Sequence, residues 1–597
     1  MQARDREHPC CWVQPEVFMH NFFLWLRAQT ATPKRFLQGA LAGLALSLLA
    51  ACGGGGSSDS QNPVPDASSS PLPAAPLPAA PPPAAPPPAP VSLSGRATFD
   101  YVPNQSGQLI YGKTEARPIR NATLEVVDKD GKALTRTTTD DQGRYSVSLP
   151  SDQTVRLRVL AQIDANGTPI AVTDNTRAEA LYAVESPAFA SNTGTANVHA
   201  ASGWTGSAYS ESRSAAPFAI LDTVYRAQRR LLALDPAARF KPLRLHWSTA
   251  NKPASGNPAS GDIEGTSFKP TLGMGHIYVL GQAEVDTDEY DESVITHEWG
   301  HYYQWTFSRD DSPGGPHGNE PLEMTLAFSE GWGDGLSGII NERHDYSDSL
   351  GPSQSSGFWL LLDGALPLET GWSRAYSIAQ IVFQLGQQAG FSSIHQAMKN
   401  LANTPAFTSI FAFSDAVRRN NPNAGDTIDQ LLRAHSIVTS KQSGDPFGTN
   451  ETNDGGLAIP GVPPLALVMP IYQPLTLNTP SRGCSVNAAP LFKIDPALGI
   501  PNKLGNQRFM RFDALEAGWY RLYVQGVTRS DGTQAQPVLS VLERGARNWY
   551  RPLPPPGYRL MNLQAGPAVL SLEDKDVTDG KVLAGCIDVM ITKAPAN

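Results

Sequence analysis

His297-Glu298-Trp299-Gly300-His301 constrains this chain more tightly than any other five residues. On a helix, imidazoles four positions apart project from one face and can share one ion. Glu298 follows the first of them and can point toward a water on that ion. The surrounding pattern predicts a helix over Asp291–Phe307, with Val294 and Ile295 turned inward and Asp291 at the N-cap region. Zn2+ accepts imidazole nitrogen and carboxylate oxygen, and a reactive zinc site has three protein ligands and one open position. The third ligand has to come from another part of the chain.

Phe328-Ser329-Glu330-Gly331-Trp332-Gly333-Asp334 supplies a candidate, with Glu330 standing 29 positions after His301. Glu330 and Asp334 share one face of the next predicted helix, Glu323–Ile340. Together the two motifs resemble the gluzincin metallopeptidases, thermolysin-like and fungalysin-like, in which a Glu-x-x-x-Asp helix follows the His-Glu-x-x-His helix. The run Ser-Glu-Gly-Trp-Gly-Asp is similar to the fungalysin-like Gly-Glu-Gly-Trp-Ser-Asp. The similarity is clear over residues 286–340 only. It implies an α+β peptidase domain with Zn2+ on His297, His301 and Glu330. Asp334 would hydrogen-bond the outer nitrogen of His297. Glu298 would take a proton from a zinc-bound water during peptide hydrolysis.

A donor for the tetrahedral oxyanion is also required, and the resemblance leaves two candidates. Tyr376 begins a predicted helix where fungalysin-like enzymes carry a functional His. His317 lies in the loop Pro-Gly-Gly-Pro-His-Gly-Asn-Glu-Pro. The plainer readings are a packing residue at a helix start for Tyr376 and a solvated loop residue for His317. The acidic run from Asp286 to Glu292 reads as a solvated helix start that complements the helix dipole. A Ca2+ site there is the alternative. His276, His344, His395 and His435 are isolated in sequence and read as surface or packing residues. Trp299, Tyr302, Tyr303 and Trp305 read as packing for the metal helix. No Gly-rich phosphate loop and no G-x-S-x-G elbow occurs.

Composition narrows the setting. Of 597 residues, 17% are charged, against about 25% in typical domains. The net charge is −9 and no basic block is present, which argues against nucleic acid as a partner. Between Pro63 and Pro90, 13 of 28 residues are Pro, which predicts an extended spacer. Upstream, Lys34-Arg35 precede an apolar run ending Leu49-Ala50-Ala51-Cys52 before Gly53 and a Gly/Ser stretch. This resembles the bacterial lipobox and implies export, cleavage before Cys52 and lipidation of Cys52. Gly53 after the cysteine suggests the outer membrane over the inner. With Cys10 and Cys11 removed and Cys52 lipidated, Cys484 and Cys586 remain, and an oxidising compartment predicts a disulfide between them.

The expected architecture is multidomain: an α+β gluzincin-like domain flanked by two all-β sandwiches. A signal peptide spans 1–51 and a tether 52–91. A β-sandwich follows over 92–190, where Thr-Asp-Asp-Gln-Gly-Arg-Tyr resembles carboxypeptidase-regulatory-like modules. The peptidase domain spans 191–455. A C-terminal sandwich spans 465–597, where the run from Phe509 to Val524 resembles pre-peptidase C-terminal domains. The expected protein is a monomeric zinc endopeptidase, anchored in a lipid bilayer at the bacterial envelope and acting on a peptide or protein. The rival readings are an adhesion or scaffold lipoprotein with a degenerate peptidase fold, and a zinc amidase acting on the cell wall.

Overall fold

Strict alternation of apolar and polar residues builds the first half of the chain into sheet. A computed structural model describes residues 90–438, 444–453, 468–487, 502–543, 545–550 and 557–595. The signal peptide, Cys52 and the tether up to residue 89 lie outside the described residues, and Pro90 and Val91 already belong to the first strand. β1 (Pro90–Tyr101) pairs with Glu115–Pro118, Arg144–Pro150 and Val198–Ala200. β2 (Ala122–Val127), β3 (Ala133–Thr138), β4 (Thr154–Asp164) and β5 (Pro169–Asp174) follow. In β4 every second residue, Val155, Leu157, Val159, Ala161 and Ile163, is buried, as period two requires.

The sheet does not stop where the expected first domain ends. β5 pairs in parallel with β6 (Leu243–Trp247), which pairs in parallel with β8 (Met274–Val279); β7 (Ser267–Thr271) is antiparallel to β8 at the edge. The order is β7-β8-β6-β5-β4-β2-β3. The boundary placed at 190/191 from the change of period is therefore not a structural boundary. α1 (Ala216–Leu234) carries the chain between the parallel strands β5 and β6 and packs on β4 and β5.

The helical body follows. α2 (Glu292–Phe307) and α3 (Met324–Asn341) pack together, and α3 packs on α4 (Ala375–Ala389). α3 is buried over nearly its whole length, and the polar residues it buries, Glu330 and Ser329 among them, face partners in α2. β9 (Asp345–Asp348) and β10 (Phe358–Leu361) form a hairpin beside α2 and α3. α5 (Phe391–Leu401), α6 (Ile410–Asn420) and α7 (Gly425–Ala434) complete the body.

Beyond residue 468 the chain returns to strands. One sheet orders β11 (Gln473–Leu475), β13 (Arg508–Ala514), β18 (Gly566–Asp574), β15 (Pro537–Glu543) and β16 (Ala546–Tyr550). The other orders β12 (Ser481–Val486), β19 (Ala584–Lys593), β14 (Gly518–Gly526) and β17 (Tyr558–Leu563). Their inner faces share one core, including Met510, Leu522, Leu570 and Ile587. Cys484 and Cys586 face each other across β12 and β19 and are disulfide-bonded. Tyr472, Leu504, Phe509 and Val569 belong instead to the large core of the helical body, so the two parts share buried surface. Among the described residues, no helix is long and apolar enough to cross a membrane.

Candidate metal centre

α2 and α3 bring three donor atoms to one point. His297 Nε2 lies 3.1 Å from Glu330 Oε2 and 3.1 Å from His301 Nε2, and His301 Nε2 lies 3.6 Å from Glu330 Oε2. A tetrahedral Zn2+ with bonds of about 2.0–2.1 Å holds its ligand atoms roughly 3.3–3.4 Å apart. The triangle has the size of one face of that tetrahedron.

The outer hydrogen bonds decide which lone pairs point inward. His297 Nδ1 lies 2.7 Å from Asp334 Oδ1, and an ionised carboxylate only accepts, so Nδ1 carries the proton. Ser329 Oγ donates to Gln304 Oε1 at 2.9 Å and is left to accept from His301 Nδ1 at 3.1 Å. Both Nε2 atoms therefore face each other and Glu330, placed to give their lone pairs to a cation once deprotonated. Burial opposes protonation of both imidazoles, yet Asp334 and Glu330 hold His297 well above its ordinary range and Glu330 holds His301 above it, so an incoming cation would displace a proton from each. Burial would raise Glu330, but His317, His301 and His297 hold it well below the usual carboxylate range. Side-chain exposures of 10–14% leave one side open to solvent.

Small residues permit the close approach of the two helices. A Cβ on Gly333 would sit 2.7 Å from His297 Nδ1, and one on Gly300 would sit 3.1 Å from the Gly333 Cα. Trp332 Nε1 donates to the Gly300 carbonyl at 3.1 Å across the same contact.

Glu298 projects from α2 toward the sheet edge. It is 8% exposed, and the Phe268 amide of β7 donates to its Oε2 at 2.6 Å. Burial pushes its carboxyl up, while His297 and His301 pull it down. Edge strand β7 thus borders Glu298.

The two donor candidates part company. His317 Nδ1 donates to the Gly315 carbonyl at 3.0 Å, and its Nε2 lies 3.1 Å from Glu330 Oε2. Burial opposes its charge, but Glu330 outweighs burial and holds the ring up to about 9. It is therefore not a merely solvated loop residue. Tyr376 donates to the Leu361 carbonyl at 2.8 Å. Among the described residues no hydrogen bond joins Tyr376 to His297, His301 or Glu330.

The acidic run departs from its first reading. Asp286, Asp288, Glu289 and Asp291 are all buried, so this helix start is not solvated. Asp291 stands at the N-cap of α2, as expected, but its side chain makes no capping bond; its carboxylate accepts from Asn104 Nδ2 at 2.5 Å and from the Ser349 amide and hydroxyl at 3.0 and 2.6 Å. Glu289 pairs with Arg213. Asp286 and Asp288 converge with Asp348 of β9, offering one oxygen each within 4.8 Å of the others. Asp286, Asp288 and Asp348 each keep a buried Oδ1 without a hydrogen-bond partner.

Three of the lone histidines have partners, His276 with His246, His344 with Asp363, and His395 with Tyr303 and Asp235, whereas His435 is buried with an unpartnered Nδ1. Trp299, Tyr302 and Tyr303 are fully buried around α2. Ser329, Gly333, the Phe268 amide and Asp348 were not foreseen as parts of the site. Ser329 and Gly333 at least lie inside the second motif, whereas Phe268 and Asp348 arrive through tertiary folding.

No protein-family model matches this chain, and no curated protein matches it. Among solved structures it is similar to the pre-peptidase C-terminal domain of collagenase from Bacillus anthracis, with 10% identity, 20% of this chain and 93% of that chain covered, and a TM-score of 0.14. It is also similar to a cycloisomaltooligosaccharide glucanotransferase from Paenibacillus sp. complexed with cycloisomaltoheptaose, with 9% identity, 84% and 72% covered, and a TM-score of 0.11. Superpositions this loose carry no argument about fold or chemistry, so the side chains of the site carry it.

Proposed function

We propose that this chain is a zinc-dependent endopeptidase of the gluzincin type, held at the bacterial envelope through lipidated Cys52. The observation that carries the reading is the convergence of two imidazole Nε2 atoms and one carboxylate oxygen, each ring oriented by a hydrogen bond at its outer nitrogen. His297, His301 and Glu330 would hold the ion, and Asp334 and Ser329 orient the rings. Bound there, zinc supplies Lewis acidity and a water that ionises near neutral pH. Glu298 takes the proton of the attacking water and passes it to the leaving amine. Its burial favours the protonated form it must adopt midway. His317 faces the same centre and supplies the oxyanion donor; the Tyr376 hydroxyl is already committed to Leu361.

The carboxylates of Asp286, Asp288 and Asp348 would hold a second cation, Ca2+, whose charge offsets two buried acids and one half-buried one, each with an unpartnered buried oxygen. Its place between α2 and β9 makes the role structural.

Cleavage of casein and of a peptide library, with and without chelator, tests the main reading. Glu298→Gln should keep about one zinc per chain and lose at least 100-fold in turnover, the order expected for a lost general base. A zinc-loaded protein that cleaves no peptide would favour the scaffold or cell-wall amidase readings. A Glu298→Gln protein as active as wild type would overturn the assigned base.

A further inference from the structure

The loop that carries His317 has no regular structure of its own, so its bonds to other segments set its position. Arg374 at the start of α4 donates to the Asn319 carbonyl at 2.9 Å, and the bonds on either side of His317 come from the C-terminal sandwich. Asn502 Nδ2 donates to the carbonyls of Gly314 and Pro316 at 3.0 and 3.1 Å. Lys503 Nζ donates to the Pro316 carbonyl at 3.0 Å and pairs with Glu320 at 2.5 Å; the lysine side chain is fully buried. The backbones interlock as well: the Leu504 amide donates to the Pro321 carbonyl at 3.0 Å, and the Glu323 amide donates to the Asn502 carbonyl at 2.8 Å. Arg547 of β16 grips the base of the loop, donating to the Asp311 carbonyl at 2.6 Å. Between these anchors Gly314 and Gly315 turn with φ of 63° and 95°, a left-handed pair that bends the loop back over α3. The bend presents His317 Nε2 to Glu330.

We propose that the C-terminal sandwich is a working part of the metal centre: Asn502 and Lys503 are positioning residues that hold His317 at Glu330. This rests on the peptidase reading for its catalytic consequence, but the clamp itself can be tested without turnover. A chain with an accessory sandwich would tolerate loss of these contacts; this chain would keep its metal and lose the donor.

The experiment uses the full chain. Removing one member of a buried ion pair strands the other charge and threatens folding, whereas removing both is often tolerated. The test variant is therefore Lys503→Met with Glu320→Gln, beside Asn502→Ala and His317→Ala. Hydrogen exchange of peptides over residues 313–323 should quicken in the Lys503→Met/Glu320→Gln and Asn502→Ala proteins. Zinc content should stay at one per chain. kcat should fall at least tenfold with KM within threefold, and adding His317→Ala should lower it no further. Unchanged exchange in both clamp variants would overturn the clamp whether or not the protein is active. Quickened exchange with wild-type kcat, or losses that multiply when His317→Ala is added, would overturn the link to His317. If wild type cleaves nothing, the peptidase reading fails while the exchange result still decides the clamp.

Discussion

Asp334 touches neither the expected ion nor a substrate, yet it sets what His297 can do. Its carboxylate accepts the Nδ1 proton at 2.7 Å and so leaves Nε2 free as a ligand. Asp334→Asn can donate from its amide instead, which would put the proton on the wrong nitrogen. We expect zinc affinity to fall about 10- to 100-fold, the usual cost of such a partner, measured by competition with a chromophoric chelator; unchanged affinity would mean that Asp334 does not set the tautomer. A second residue governs pH dependence. His435 is 1% exposed, and burial lowers its pKa to about 4. The folded ring stays neutral while the unfolded ring takes up a proton below about 6.5. Stability attributable to it is therefore whole above 6.5 and is lost as pH falls toward 4, by up to roughly 3 kcal/mol. His435→Leu should flatten the fall in melting temperature between pH 7 and pH 4.5, and an unchanged slope would contradict the assignment. Single residues were legible in the sequence where local geometry alone places them. His297, Glu298 and His301 needed only a helix, whereas Glu330 and Asp334 were assigned through the resemblance of their run to the gluzincin motif. His317 could be named but not placed, because Asn502 and Lys503, nearly two hundred residues away in sequence, put it at Glu330.

At the scale of elements, α3 is the piece on which the site turns, and its glycines divide the labour. Gly333 faces α2, where an added Cβ would meet the His297 ring at 2.7–2.9 Å. Gly335 faces α4, where an added Cβ would lie 2.7 Å from the Ala379 carbonyl and 2.8 Å from the Val382 Cβ. Alanine favours helix over glycine by about 1 kcal/mol, but overpacking costs about 1–3 kcal/mol. Gly335→Ala should therefore lower stability in urea titration and still bind zinc. Gly333→Ala should lose zinc affinity out of proportion to stability, because the group it displaces is a ligand. Equal effects of the two substitutions on zinc would refute this division. The helices themselves were readable: the predicted Asp291–Phe307 and Glu323–Ile340 form as Glu292–Phe307 and Met324–Asn341, since period 3.6 and burial agree there. The acidic run was misread because its charges suggested water. Nothing local to Asp286 and Asp288 announces that β9 will bring Asp348 beside them. If that trio holds Ca2+, adding millimolar Ca2+ to chelator-treated protein should raise its melting temperature, and Asp286→Asn with Asp348→Asn should abolish the rise.

For the molecule as a whole, the sequence suggested three bodies in a row, and the structure joins them. The first boundary dissolves because β5 and β6 pair in parallel across 68 intervening residues that include α1, a contact no local pattern reports. The last boundary is bridged by Leu504, Phe509 and Val569, which enter the core of the helical body. The disulfide then acts on more than its own sheet. It joins β12 to β19 across a separation of 102 residues. Closing a loop of that size restricts the unfolded chain by up to roughly 4–5 kcal/mol. Because the Val486 amide of β12 donates to the Gly505 carbonyl at 2.9 Å, next to the residues that hold the His317 loop, loosening that end of the sandwich should be felt at the metal centre. Cys484→Ser with Cys586→Ser should lower the melting temperature in a calorimeter. Zinc retention and peptide cleavage should fail across the same transition as the sandwich, not at a higher one. A double mutant that unfolds in two separated steps, with the sandwich melting first and cleavage persisting to the second, would show that the sandwich is an independent module, and the shared core would then carry no coupling.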